Sequence, residues 1–206
     1  MSTGEAGPAV QSEMPMPEKV RIVYNTLPNP PFIMGEGTLM DPDRPGTSIE
    51  LLKMVERNLG LTFDFKRVPW KRGLVMIESR EADAIFHASF KEERLRIGAY
   101  PMKEKKPDQS RRMLTQSYML YKLKNSPLTW DGETFSNLNG PVGATIGYAI
   151  VGDLKKKGVV VEESKKNVSI LLKLAQGRLA AAAELETMAD FTLAGDPQKF
   201  KDIVKV

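Results

Sequence analysis

The chain has 206 residues, 41% hydrophobic and 27% charged, a globular balance suited to one domain or to two small lobes rather than to a disordered or fibrous chain. It has no cysteine and a single histidine, His87, which excludes disulfides, thiolate or polyhistidine metal centres and cysteine nucleophiles. No apolar run approaches the ~20 residues of a membrane span, and a net charge of +4 is too mild and too dispersed to suggest nucleic acid, favouring anionic ligands only weakly.

Residues 1–18 read as a flexible leader rich in Gly, Pro, Ser and Glu, with no apolar h-region and therefore no intact secretory signal. Val20–Asn25 alternates as a strand would, and the Pro- and Gly-rich stretch from Pro28 to Pro45 is too broken for regular structure. Thr47 and Ser48 offer an N-cap for a helix with Ile49, Leu52, Val55 and Leu59 on one face, closed by Gly60. Leu61, Phe63 and Phe65 form a second strand. Pro69 opens a helix to about Ser79 with Leu74 and Ile77 inward, and Ala82–Ala88 is a third strand.

The same order then recurs. Val142–Ile146, Val159–Val161 and Leu179–Ala183 read as strands. Helices are expected from Gly147 to about Lys157, around Val168, Leu171, Leu172 and Ala175, and from about Glu184 to Leu193. Ile203–Val206 is a further strand, and Tyr118–Leu123 a strand crossing a hinge. Two βαβ-rich units imply an α/β protein of two lobes, each a mostly parallel sheet with flanking helices, because parallel strands require crossover connections. The expected division is lobe one over 19–117 and the hinge strand with lobe two over 118–206. Ligands of such sheets gather at the carboxyl ends of the strands. Those ends carry Asn25 to Phe32, Pro69-Trp70, His87 to Arg94, Gly147 to Ala149 and Glu184 to Glu186.

An ordered set of short motifs carries a resemblance. It comprises Pro30-Pro31-Phe32, Gly46-Thr47-Ser48-Ile49-Glu50, Val68-Pro69-Trp70, Ala82-Asp83-Ala84-Ile85, Ser89 with Glu93-Arg94, Val142-Gly143-Ala144, Gly147-Tyr148 and Gly177-Arg178-Leu179. In this order the chain resembles the type II periplasmic solute-binding proteins of extracellular solute-binding protein family 3, the binding components of polar amino-acid ABC transporters. The resemblance implies a periplasmic, non-catalytic, monomeric clamp. It would hold a small polar solute, with neither cofactor nor metal, and present it to a membrane permease.

The resemblance also implies roles. Arg94 would grip a ligand carboxylate through its planar fork, with Ser89 the matching hydroxyl position, Phe32 and Trp70 the cleft walls, and main-chain N–H groups at Tyr148 and Ala149 an anion seat. Two departures stand out. The acidic residue that holds an α-ammonium group in family members falls here on Leu185, between Glu184 and Glu186, and the early acidic position at the end of the first strand is Asn25. A neutral or differently placed polar ligand follows as an expectation, with Glu184 kept as a candidate for a cationic group. Family members also continue past the strand at Lys201–Val206, so a C-terminal return segment is expected to be missing.

Plainer readings stand beside these. Arg94 also suits a solvated charge cluster, Ser89 a turn cap, Trp70 lobe packing, and Glu184 a helix N-terminus. His87 reads as a cleft-edge or packed residue, since no Ser nucleophile or acidic orienter lies at a matching spacing. Two other functions fit the same scaffold: a ligand-sensing module of a signalling system, and a dehydratase-like enzyme using His87 or Glu184 as acid or base.

Overall fold

Two β-α repeats build two sheets in the computed structural model, which describes residues 17–206; the predicted leader lies outside the described residues apart from Pro17 and Glu18. In the first half, β1 (Lys19–Asn25), α1 (Thr47–Leu59), β2 (Thr62–Val68), α2 (Trp70–Glu78) and the two-residue β3 (Ala84–Ile85) follow in turn. Their strands form a parallel sheet in the order β2-β1-β3. Val23 and Val68 pack under α2 with Met76, while Tyr24 and Ile33 pack under α1 with Ile49. Both faces of β1 are therefore covered, as its continuous burial from Ile22 to Asn25 requires.

Three local features differ from the periodicity. The third strand is shorter than Ala82–Ala88 because Arg21 grips Asp83, its main-chain N and Nε donating to Oδ2 at 2.8 and 2.9 Å and Nη2 to Oδ1 at 2.7 Å. That fork holds the Asp83 carboxyl down at about 2. At its other end, His87 turns the chain away with φ +63. Helix α1 starts without a side-chain cap. Gly46 fills the cap position with φ +105, where a Cβ would stand 2.4 Å from the Phe32 carbonyl oxygen. Helix α2 turns Gly73 and Met76 inward, leaving Leu74 and Ile77 half-buried.

The chain then passes through a short 3₁₀ turn at Glu92–Arg96 and the hairpin of β4 (Met102–Lys103) and β5 (Lys106–Pro107). Beyond it lie β6 (Tyr118–Leu123), the hairpin of β7 (Thr129–Trp130) and β8 (Phe135–Ser136), β9 (Val142–Thr145) and α3 (Ala149–Lys156). The last elements are β10 (Val161–Ser164), α4 (Asn167–Ala175), β11 (Ala181–Leu185), α5 (Glu186–Gly195) and β12 (Ile203–Lys205). The second sheet has the order β10-β9-β11-β6-β12, with β6 antiparallel to both its neighbours and the others sharing one direction. The predicted hinge strand Tyr118–Leu123 is thus an integral strand of this sheet, and its Tyr121 is fully buried.

Apolar layers cover both faces of the second sheet. Ile170, Leu171 and Leu174 of α4 pack on Tyr121 and Ala182, and Leu128, Val142 and Leu154 pack with Ala181 and Ala183. Each fully buried Leu or Ile contributes about 1.5–3 kcal/mol of transfer free energy. The inward face of α4 is therefore Ile170, Leu171 and Leu174, with Leu172 and Ala175 at its margin and Val168 exposed. Strand β10 begins two residues later than Val159, because Val159 packs into the core beside the turn at Gly158. Strand β11 likewise runs on to Leu185, which sets Glu184 in a strand rather than at a helix N-terminus.

Candidate functional site

The carboxyl ends of the parallel strands in both sheets converge on one cleft. The side-chain Nδ2 of Asn25, at the end of β1, donates to the Tyr148 hydroxyl across the lobes at 2.8 Å, while its Oδ1 accepts from the Leu27 N–H at 3.2 Å. Beyond β2, Trp70 opens α2 and donates from Nε1 to the Gly147 carbonyl at 3.1 Å, its ring edge-on to Tyr148. Beyond β3, the 3₁₀ turn places Arg94. Its Nη1 donates to the Ser89 carbonyl at 2.9 Å and its Nη2 to the Gly147 carbonyl at 3.1 Å, with the guanidinium carbon 5.7 Å from the centre of the Trp70 ring.

Gly147 is a point of close approach between the lobes. With φ +76 it occupies backbone that favours glycine, and a Cβ there would stand 2.8 Å from Lys71 Cγ and 3.4 Å from Trp70 Cδ1. Its carbonyl receives both Trp70 and Arg94 from the opposite lobe. A second bridge links Asn29, Gln116 and Thr187. Asn29 and Gln116 exchange two amide bonds of 3.1 Å, Gln116 Nε2 donates to Thr187 Oγ1 at 3.0 Å, and Thr187 Oγ1 donates to Asn29 Oδ1 at 2.8 Å. Lys91 and Asp153 form an ion pair on the outer side. Between these contacts lies a partly enclosed cavity lined from both lobes.

Seven of the residues read from the sequence or set beside it meet at this cavity: Asn25, Trp70, His87, Ser89, Arg94, Tyr148 and Ala149 all line it. Phe32 and Glu184 do not. Phe32 stands behind His87, ring centres 6.0 Å apart and edge-on. Glu184 is fully buried in β11, where both carboxyl oxygens accept from Thr145 Oγ1, at 3.0 and 3.1 Å. The lining also includes Leu27, Asn29, Ile33, Gln116, Tyr118 and Leu185, which the sequence did not single out as ligand contacts. Asn29 and Gln116 carried no signal beyond their positions, one before the Pro30-Pro31 pair and the other two residues ahead of β6.

The electrostatics of the cleft are one-sided. Arg94 is the one cation lining it, and none of the described lining residues is a carboxylate. Burial lowers the His87 imidazole to about 4, keeping it neutral at pH 7. Burial pushes the Tyr118 and Tyr148 hydroxyls up, with the Glu184 carboxyl adding to the rise at Tyr148. The described residues contain no group of three or more acidic or histidine side chains able to hold a metal ion.

Burial also raises the Glu184 carboxyl to about 8, against the pull of its Thr145 hydrogen bonds. Its folded pKa lies above an unfolded value near ~4.3, so its contribution to stability is complete below the unfolded value and lost as pH climbs through about 8. His87 works in the opposite sense, losing stability as pH falls from the ordinary imidazole range to about 4. Above about pH 6.5 only Glu184 of the two is titrating. Glu184→Gln is therefore expected to flatten the fall in melting temperature between about pH 6.5 and 8, and an unaltered slope in thermal melts would assign that titration to another group.

No family model matches the sequence, and no curated protein matches it. Solved structures do match the fold. An ancestral arginine-binding protein bound to glutamine superposes with a TM-score of 0.65 at 19% identity, covering 93% of this chain and 79% of that one. A histidine kinase sensor domain with similarity to periplasmic binding proteins gives 0.67 at 16% identity, covering 91% and 76%. An amino acid ABC transporter substrate-binding protein from Streptococcus pneumoniae, bound to L-arginine, gives 0.66 at 20% identity, covering 92% and 75%. The chain has the two-lobed α/β fold of the periplasmic binding proteins.

Proposed function

We propose that the protein is a non-catalytic solute receptor that closes its two lobes around a small carboxylate-bearing polar molecule and passes it to an ABC-type membrane permease. The observation that carries this reading is Arg94. Its guanidinium lies at the meeting of the lobes, paired with two main-chain carbonyls and with no carboxylate partner among the described residues. A solute carboxylate supplies the missing countercharge in bidentate form. Ser89 and the main-chain N–H groups at Tyr148 and Ala149 complete the polar wall, and Trp70 supplies an aromatic one. The known ligands of the structural relatives, arginine and glutamine, are both carboxylates. Localisation outside the cytoplasmic membrane and action as a monomer belong to the same reading.

Closure then follows from ligand contacts that exist only when the lobes meet, so the solute shifts an open–closed equilibrium by its differential affinity. The test is a thermal-shift panel of carboxylates and amino acids, paired with native mass spectrometry of the purified protein. A binding solute raises the melting temperature in proportion to the logarithm of its concentration and appears as a mass lost on denaturation. No shift and no adduct across the panel would end the receptor reading.

The sensor-domain relative favours a second reading, in which the same clamp reports its solute to a signalling output rather than to a permease. Binding measurements are identical for both, and co-purification with a permease complex separates them. A dehydratase-like activity has less support, because His87 lines the cavity while Glu184 is sealed beneath Thr145 outside it.

A further inference from the structure

His87 is built into the cleft in an unusual way. It directly follows β3 with φ +63, a left-handed conformation that is uncommon for a residue with a side chain and that concentrates at functional positions. Phe32 and Phe86 fix its ring edge-on, with centres 6.0 and 4.9 Å away. On one side Nε2 lies 2.8 Å from the Ser48 hydroxyl of α1. On the other, Nδ1 is buried and has no hydrogen-bond partner among the described residues. A buried polar atom left unpaired is destabilising; this one belongs to a side chain that lines the cleft and is closed off while the lobes are together, so a partner would have to reach it as they part.

We infer that the solute is a hydroxycarboxylate without an ammonium group, its carboxylate held by Arg94 and its hydroxyl by His87 Nδ1. The inference rests on the receptor reading above and narrows it to a ligand class. The charge census of the lining gives the first half. Arg94 neutralises one negative charge, and no lining carboxylate is present to neutralise a positive one. The nearby acids are engaged elsewhere: Glu184 with Thr145, and Glu186 and Asp190 with Lys205 at 2.6 and 2.7 Å. An ammonium group enclosed beside Arg94 would lose its water and gain no countercharge.

The imidazole gives the second half. A neutral ring carries one N–H, and the Ser48 hydroxyl satisfies Nε2 whether it gives or takes the proton. Nδ1 is then a donor in one tautomer and an acceptor in the other. A hydroxyl complements both, an ammonium only the acceptor, and a second carboxylate only the donor. The amides of Asn25, Asn29 and Gln116 also line the cavity but are engaged with Tyr148, Thr187 and one another.

Calorimetric titration of tag-free protein with two matched series tests the class: lactate, alanine and propionate, then 3-phenyllactate, phenylalanine and 3-phenylpropionate. In the series whose size the cleft accepts, the hydroxy acid should bind tighter than its amino and hydrogen twins by about tenfold or more. Amino twins that bind as tightly as the hydroxy acids, or a protein that responds only to amino acids such as arginine, would overturn the ligand class and leave the receptor reading standing. A folded protein that binds no member of either series and no amino acid would end both.

The role of His87 has its own readout. As the chain has one histidine, its ring nitrogens need no resonance assignment, and saturation with the hydroxy acid should move the Nδ1 signal. An unmoved signal would overturn the role without any variant. His87→Phe should equalise the hydroxy and hydrogen twins. His87→Asn, whose side chain is polar and tolerates the left-handed backbone, should restore part of the difference; equal preference in wild type and His87→Phe would also refute it.

Discussion

An Arg94→Ala protein is expected to stay folded and to lose carboxylate binding by about two to three orders of magnitude, the effect of deleting one side of an enclosed, charge-assisted pair. Folding should survive because Arg94 is held by two main-chain carbonyls rather than by a buried acid. One of them, that of Ser89, keeps a hydrogen bond from the Tyr100 hydroxyl at 3.1 Å. Arg94→Lys should recover only part of the affinity. An ammonium group is a point charge without the fork that fixes a carboxylate in its plane, and it cannot span the Ser89 and Gly147 carbonyls in the same way. Calorimetric titration beside a thermal melt separates the two effects. Unchanged affinity in a folded Arg94→Ala protein would remove Arg94 from the site.

The largest loss of stability is expected at a residue with no ligand role. Arg67 is buried at 3% exposure in β2, and all five of its N–H bonds end on main-chain carbonyls. Nε donates to Asn25 at 3.3 Å, Nη1 to Met34 and Leu39 at 3.2 and 3.0 Å, and Nη2 to Thr26 and Gly35 at 3.1 and 3.0 Å. The guanidinium carbon lies 5.5 Å from the centre of the Tyr24 ring. One side chain thus organises the Pro- and Gly-rich stretch that no regular hydrogen-bond ladder could. Arg67→Met would leave these carbonyls unpaired, and the expected loss is about 3–5 kcal/mol. Arg67→Lys, with three N–H bonds and no plane, should recover little. Denaturant unfolding measures the loss, and hydrogen exchange should show 26–45 losing protection first. A loss below about 1 kcal/mol would mean that water replaces the guanidinium there.

The architecture was readable because the β-α order repeats, with apolar positions at strand and helix spacing twice over. The boundaries drifted where an apolar residue serves the core without joining a ladder, as Val159 does ahead of β10. Glu184 was misread for a related reason: beside Ala181–Ala183 a charged residue looks like the first turn of a helix, yet the strand continues through it and Thr145 accommodates its carboxyl. Arg94, Trp70, Ser89 and Tyr148, which line the cavity, stand in short motifs that follow a fixed order. The bridge of Asn29, Gln116 and Thr187 was not readable in the sequence, since its partners lie 87 and 158 residues apart and amides have no local pattern. The orphaned Nδ1 of His87 is a property of its surroundings alone, visible only once Phe32, Ser48 and Phe86 are packed around the ring.

The two sheets differ in how their third parallel strand is held. Strand β11 has a neighbour on each side, whereas the two-residue β3 pairs only with β1 among the described residues. On the receptor reading, we propose that the jaws act as an anvil and a spring. The anvil presents Tyr148, Ala149 and Leu185 from a five-stranded support. The spring carries His87, Ser89 and Arg94 on the run that leaves β3, so adjustment to solutes of different girth falls on that run. Across a ligand series the backbone of 86–94 should yield while β9 and β11 keep their shape, and selectivity is then set by the stiffness of one short strand as well as by the chemistry of the walls.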